Sequence, residues 1–194
     1  LGDMTEEPQE NSPYQLLPIY KVEPNPDQPR EIFDEEALDE LAESIRMHGV
    51  IQPLTVRKLD SGYYQIIAGE RRWRAARKAG LSEVPAVIIE ADDRKAAELA
   101  LIENLQRQDL NPLEEAQGYK RLITEYGLTQ EEAADRVGKS RPAVANAMRL
   151  LTLPKEVQER VSAGTLTAGH ARAVLTLKTE KLQKDAAQKI SALG

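Results

Sequence analysis

The chain has 194 residues, a formal net charge of -6 and no cysteine, which excludes disulfides, thiolate metal sites and a cysteine nucleophile. Its only histidines, His48 and His170, cannot build a histidine-rich metal centre. No apolar run approaches the roughly 20 residues of a membrane span, and no secretory signal is visible.

The length suits one or two domains with a real core. The charge is uneven. Residues 1–40 carry two basic against twelve acidic side chains, and residues 111–178 carry ten basic against eight acidic. Such a split is compatible with nucleic-acid binding by the back half. The absence of cysteine suits a reducing cytoplasm. The first residue, Leu1 rather than Met, reads as part of a longer chain.

Residues 1–17 read as a flexible acidic segment without the basic amphipathic pattern of a membrane-surface helix. A short strand is expected over Pro18 to Val22. The run Pro24-Asn25-Pro26-Asp27-Gln28-Pro29-Arg30 fixes an extended path. It either presents Gln28 and Arg30 to a ligand or is a plain linker. The next helix has Asp34 as N-cap, Glu35 and Glu36 in its first turn, and Leu38, Leu41 and Ile45 on one face. Gly49 stops it. Gly49 to Leu54 then turns into a strand ending near Lys58, and Tyr63 to Ala68 returns as its hairpin partner after the turn Asp60-Ser61-Gly62.

Gly69-Glu70-Arg71-Arg72-Trp73-Arg74-Ala75-Ala76-Arg77-Lys78-Ala79-Gly80 reads as a helix. Arg71 and Arg72 fall in its first turn, where the macrodipole disfavours cations. A glycine there leaves backbone N–H groups open to an approaching anion. This is either a phosphate cradle or an exposed basic helix. Val84 to Ile89 is a further strand, with Pro85 expected at an edge or entry position. A helix over 92–108 follows, containing Glu103-Asn104-Leu105-Gln106-Arg107. Glu103 and Arg107 either form an i, i+4 ion pair or hold a divalent cation and phosphate. A domain boundary is placed near Leu110, giving domains 18–110 and 111–194.

Asn111-Pro112 starts a helix whose expected stripe is Leu113, Ala116, Leu122, Ile123 and Tyr126. Thr129, with Glu132 at N3, then caps a short helix. Gly138 turns the chain, and Ser140 caps a second helix from Arg141 to Leu151. This is a helix-turn-helix pattern, with a helical hairpin as the alternative. Gln130, Lys139, Ser140, Arg141, Asn146 and Arg149 are its candidate DNA contacts, since Arg reads guanine and Asn adenine. Pro154 opens another helix, and Thr167 caps one bearing Gly169, His170 and Arg172. His170 has no second metal ligand nearby and reads as packed or phosphate-contacting. A last amphipathic segment, Thr179 to Leu193, shows Leu182, Ala186, Ile190 and Leu193.

Taken together, Asn25 to Arg30, Gly49 to Leu54, Gly69 to Ala76, Glu103 to Arg107, Gly138 to Pro142 and Leu166 to Arg172 resemble the ParB family of chromosome- and plasmid-partitioning proteins over residues 18–177. The resemblance implies an α+β architecture. A small mixed α/β, sulfiredoxin-like nucleotide-binding domain is followed by an all-α helix-turn-helix domain. It implies CTP held with Mg²⁺. Gly69, Glu70, Arg71, Arg72, Asn104 and Arg107 would meet the triphosphate, with Gln28 and Arg30 over the nucleotide. Glu103 and Asn104 would hold the metal, and Glu103 and Gln28 would act in catalysis. Gly169, His170 and Arg172 join the DNA-contacting set.

The implied activity is that of a slow CTPase acting as a switch. A homodimer loads at a palindromic parS-like site on double-stranded DNA, closes as a sliding clamp and is reset by hydrolysis. The family's C-terminal dimerisation domain and the basic N-terminal segment that engages a ParA-type ATPase are missing, which reads as truncation. A cytoplasmic, nucleoid-associated protein without a membrane partner is expected. The alternatives are a nucleoid-occlusion relative and a plain transcriptional regulator. A sulfiredoxin-like phosphotransferase would need the cysteine this chain lacks.

Overall fold

The computed structural model describes residues 14–26, 33–107 and 110–193. Contacts divide the chain into two compact units, Leu1–Ala100 and Leu101–Gly194.

The first unit is built on a five-stranded sheet. Its strands are β1 (Gln15–Pro18), β2 (Val22–Glu23), β3 (Leu54–Lys58), β4 (Tyr64–Ala68) and β5 (Glu83–Ile88), in the order β1-β5-β3-β4-β2. Strands β3 and β4 form the expected antiparallel hairpin; β3 pairs parallel with β5, and β2 parallel with β4. Leu54, Val56, Ile66, Val84 and Ala86 bury one face together with Trp73 of α2 (Glu70–Lys78). Helix α1 (Glu35–His48) closes over α2 through Leu38, Ala42 and Ile45 against Ala75 and Ala76. The other face receives the front of α3 (Asp93–Leu105), where Ala96 and Ala100 meet Ile67. Asp34 caps α1 by accepting the Glu36 N–H at 3.0 Å.

Several expectations are corrected here. The looseness read into residues 1–17 does not extend to Gln15–Pro18, which pairs antiparallel with β5. The strand expected over Pro18 to Val22 is interrupted by a 3₁₀ turn, Ile19–Lys21, anchored by the Ile19 N–H on the Ser82 carbonyl. Of the edge and entry positions expected for Pro85 the structure has the second, since β5 is an interior strand. Pro85 faces Leu16 of β1, and the ladder to β3 begins only at Ala86, so the missing N–H falls ahead of that pairing.

The second unit is all helical: α4 (Pro112–Thr124), α5 (Gln130–Val137), α6 (Arg141–Arg149), α7 (Lys155–Ser162), α8 (Ala168–Val174) and α9 (Glu180–Leu193). One core gathers Ile102 and Leu105 from the end of α3 with Tyr119, Leu122, Ala133, Ala134, Val137 and Val144. A second gathers Leu113, Leu150, Val157, Val161, Leu166, Val174 and Ala187.

Leu113, Ala116 and Leu122 of the expected α4 stripe are buried and Ile123 and Tyr126 half-buried, and Tyr119 joins them on that face. Tyr119 is buried, and its hydroxyl donates to the Glu115 carboxylate. Burial, and then that bond, push its pKa upward. Gly118 is buried because Leu105 presses against it: a Cβ there would stand 2.4 Å from Leu105 Cδ2. On α9 the inward residue is Ala187. Leu182 is 50% exposed and Leu193 90% exposed, so the expected apolar face narrows to its middle.

Gly118→Ala is therefore expected to destabilise the second unit by about 1–3 kcal/mol through overpacking of Leu105. Urea denaturation followed by helical circular dichroism checks this.

Candidate functional site

Gly69 stands between β4 and α2 with φ +105°, a left-handed value that favours glycine. A Cβ there would lie 2.6 Å from Leu54 Cδ2 and 3.0 Å from Arg72 Nη2. Among the described residues no side chain caps this helix end. The amides of its first turn are therefore left for water or an anion.

The first-turn cations are not equivalent. Arg71 is exposed. Arg72 folds back over Gly69, and its Nη1 donates to the Gln52 and Pro53 carbonyls at 2.8 and 2.6 Å. Carbonyl dipoles thus meet a charge for which the sequence suggested an anion. Glu70 accepts from Arg74 at 3.0 Å, and the Arg74 guanidinium lies 4.2 Å from the Phe33 ring centroid. Arg77 stacks on Trp73, with its guanidinium carbon 4.8 Å from the centroid. Lys78 reaches Glu35 and Asp39 of α1 at 2.6 and 2.8 Å. The hydrogen bonds that it donates to Asp39 and Glu35 hold its pKa above the usual lysine value. Gln28 and Arg30 lie outside the described residues.

Helix α3 ends at Leu105, three residues before the expected position, so Arg107 follows the helix instead of continuing its face. Its amide bonds to the Asn104 carbonyl at 3.2 Å and its Nη1 donates to Asn104 Oδ1 at 3.4 Å. Glu103 is exposed and Asn104 half-buried, while Ile102 and Leu105 are buried. The described residues contain no group of three or more His, Cys, Asp or Glu side chains able to hold a metal. A lone carboxylate such as Glu103 is by itself a donor that Mg²⁺ could take only together with phosphate oxygens and water. The Glu103 motif and the Gly69 to Arg72 turn belong to different compact units.

The helix-turn-helix geometry is clear. Thr129 accepts the Glu132 N–H at 3.1 Å to open α5. Gly138, at φ +72°, makes the turn, and Ser140 accepts the Ala143 N–H at 3.2 Å to open α6. Ala133, Ala134, Val137 and Val144 are buried between the two helices. Lys139, Ser140, Arg141, Asn146 and Arg149 are all exposed, and Gln130 at the start of α5 is half-buried.

On α8, Gly169, His170 and Arg172 are exposed. His170 takes part in a capping box: its N–H bonds to Thr167 Oγ1 at 3.0 Å, and its Nδ1 accepts the Thr167 N–H at 3.4 Å. Helix α8 packs against α7 and α9, in the second core.

Two polar arrangements were not legible beforehand. Arg57, buried on β3, donates to Gln65 on β4 at 2.8 Å, to the Ala91 carbonyl at 3.3 Å and to Asp93 at 2.8 Å. Gln106 donates through Nε2 to the Arg136 carbonyl at 3.2 Å. An arginine at an alternating strand position hints at the first, but its partners come from distant segments.

A mixed α/β unit followed by an all-α unit with an exposed polar second helix defines a two-part protein of the helix-turn-helix class. The chain belongs to the ParB family: the model for the ParB N-terminal domain matches residues 3–105, and that for the ParB HTH domain residues 108–194. The chromosome-partitioning protein Spo0J of Thermus thermophilus is 60% identical over 84% of this chain and 60% of its own length. A nucleoid occlusion protein from a Geobacillus species is 50% identical over 96% of this chain and 66% of its own. The chain thus spans less than two thirds of these relatives. Among solved structures, C-terminally truncated ParB from Caulobacter crescentus complexed to the centromeric parS site matches with a TM-score of 0.79. It is 46% identical and covers 92% of this chain and 97% of the solved one. No helix among the described residues is long and apolar enough to cross a membrane.

Ser140→Ala should cost about 1 kcal/mol by removing the cap of α6. The Ala143 amide, which bonds to Ser140 Oγ, is expected to exchange roughly fivefold faster in a hydrogen-exchange measurement.

Proposed function

We propose that the chain is the nucleotide-switched, site-specific DNA-binding part of a chromosome-partitioning protein. In this reading α6 enters the major groove of a palindromic parS-like site by its N-terminal end. Lys139 and Ser140 meet the backbone, and Arg141, Asn146 and Arg149 reach base edges. Gln130 and the α8 residues Gly169, His170 and Arg172 add phosphate contacts. The observation that carries the reading is the capped, exposed start of α6, in a chain similar over nearly its whole length to a ParB bound to parS.

The nucleotide half of the proposal rests on the Gly69 turn and on the family. A nucleoside triphosphate, assigned as CTP from the family resemblance, would take its phosphate contacts from the bare amides after Gly69 and from Arg71, Arg72, Asn104 and Arg107. The Glu70 carboxylate would hold Arg74 rather than meet the anion. Arg72 would share or exchange its carbonyl acceptors for phosphate oxygens. Glu103 and Asn104 would hold Mg²⁺, which when bound offsets charge on the phosphate oxygens. Gln28 and Arg30 would lie over the nucleotide, with Gln28 and Glu103 serving hydrolysis. Slow turnover to CDP and phosphate then resets a homodimeric clamp that slides on DNA in the nucleoid. A ParA-type ATPase would be the partner of the longer protein.

A nucleoid-occlusion role is the second reading, favoured by the 50% identity to such a relative. Competition between a parS duplex and unrelated palindromes tests which of the two roles the DNA preference supports.

Arg141→Ala should cost about 1–3 kcal/mol in site binding and relax specificity at the base it reads. Undiminished preference for the site over scrambled duplex in high-salt fluorescence anisotropy would remove Arg141 from base readout. Glu103→Gln keeps the side-chain shape but removes the anionic ligand. CTP should still bind while phosphate release with Mg²⁺ and site DNA falls steeply. Turnover within about twofold of the parent would reduce Glu103 to a helix-surface ion pair worth about 0.2–0.5 kcal/mol.

A further inference from the structure

The motif Glu103-Asn104-Leu105-Gln106-Arg107 is divided by its two faces. Glu103 is exposed, while Ile102 and Leu105 sit in the same core as Ala133, Ala134 and Val137 of α5 and Val144 of α6. Leu105 occupies the space a side chain on Gly118 would fill. The motif's end is therefore packed into the DNA-reading helices themselves.

Gln106 adds a directional contact. The last four carbonyls of an α-helix have no partner within it. In α5 the Ala134 and Asp135 carbonyls are taken by amides of the turn, from Gly138 and Lys139. The Arg136 carbonyl is taken by Gln106 Nε2 at 3.2 Å. That carbonyl lies two residues before Gly138, the turn that aims α6.

We propose that Gln106 is the positioning residue that couples the phosphate- and metal-binding end of α3 to the helix-turn-helix. This rests on the proposed roles of Glu103, Asn104 and Arg107. A ligand that reorients Asn104 or Arg107 moves Gln106 within the same short turn, and with it the acceptor that fixes the start of the DNA-reading turn. Two states of this contact, each favoured by one ligand, suffice for linkage. Linkage is reciprocal: nucleotide changes DNA affinity by the factor by which DNA changes nucleotide affinity.

The test uses the full chain. CTP·Mg²⁺ affinity is measured by calorimetry with and without saturating palindromic site duplex, in the parent and in Gln106→Met, which keeps length and loses the donor. The parent is expected to show a coupling of roughly fivefold or more. The variant should keep each separate affinity within about twofold while its coupling falls toward one. Unchanged coupling in the variant overturns the role of Gln106, as does a parent that binds both ligands without linkage. A parent that binds no nucleotide overturns the nucleotide reading itself, and the coupling with it. Should Gln106→Met fail to fold, amide spectra of the parent decide. CTP·Mg²⁺ added without DNA should shift the Gly138 and Lys139 resonances, and their constancy overturns the proposal.

Discussion

The contact on which the second unit most depends is Leu105 against Gly118. The absence of a side chain on α4 lets the last turn of α3 approach it closely, and Leu105 fills the space. Packing at this density transmits displacement, because core side chains cannot shift without moving their neighbours. Ile102 lies one turn earlier in the same core, and Tyr119 of α4 closes it. The exposed carboxylate of Glu103 is thereby carried on a rigid base. Its helix end is fixed by buried neighbours on either side, even though its own face is polar.

The first unit solves a different problem. A charged turn after β4 must be stable whether or not an anion is present. Arg72 does this by finding two backbone carbonyls, those of Gln52 and Pro53. Charge-assisted bonds to neutral acceptors offset the unfavourable macrodipole at that end of α2. The neighbouring cations are likewise held: Arg74 by Glu70 and the Phe33 ring, Arg77 by Trp73, Lys78 by Glu35 and Asp39. Arg71 is left exposed beside the bare amides. A basic helix thus becomes an ordered one with a single open end.

Polar side chains, buried at Arg57 and exposed at Gln106, join segments that the chain order separates. Arg57 links β3 to β4 and to the entry of α3 through Gln65, the Ala91 carbonyl and Asp93. An arginine buried on a strand would be costly alone, and three acceptors compensate it. Gln106 plays the corresponding part in the second unit, where its amide meets a carbonyl at the end of α5.

Local chemistry determined much of this protein by itself. Asp34, Asn111, Thr129, Ser140 and Thr167 cap the helices they were expected to cap, because a side-chain oxygen next to a bare N–H needs no distant partner. The helix-turn-helix was legible for the same reason, as cap, turn and polar face follow within twenty residues. Tertiary structure decided the rest. Tyr119 lies on the buried face of α4, three residues from Ala116 and from Leu122, but that Ile102 and Leu105 of α3 complete the core around it is something no period within α4 encodes. The strand that Pro85 enters is interior because β1, from well upstream in the chain, adds to the sheet beside it. Arg72 met carbonyls contributed by Gln52 and Pro53, some twenty residues upstream, and a sequence pattern shows a charge but not its acceptors. Long-range packing chooses among faces and partners that local rules leave equal.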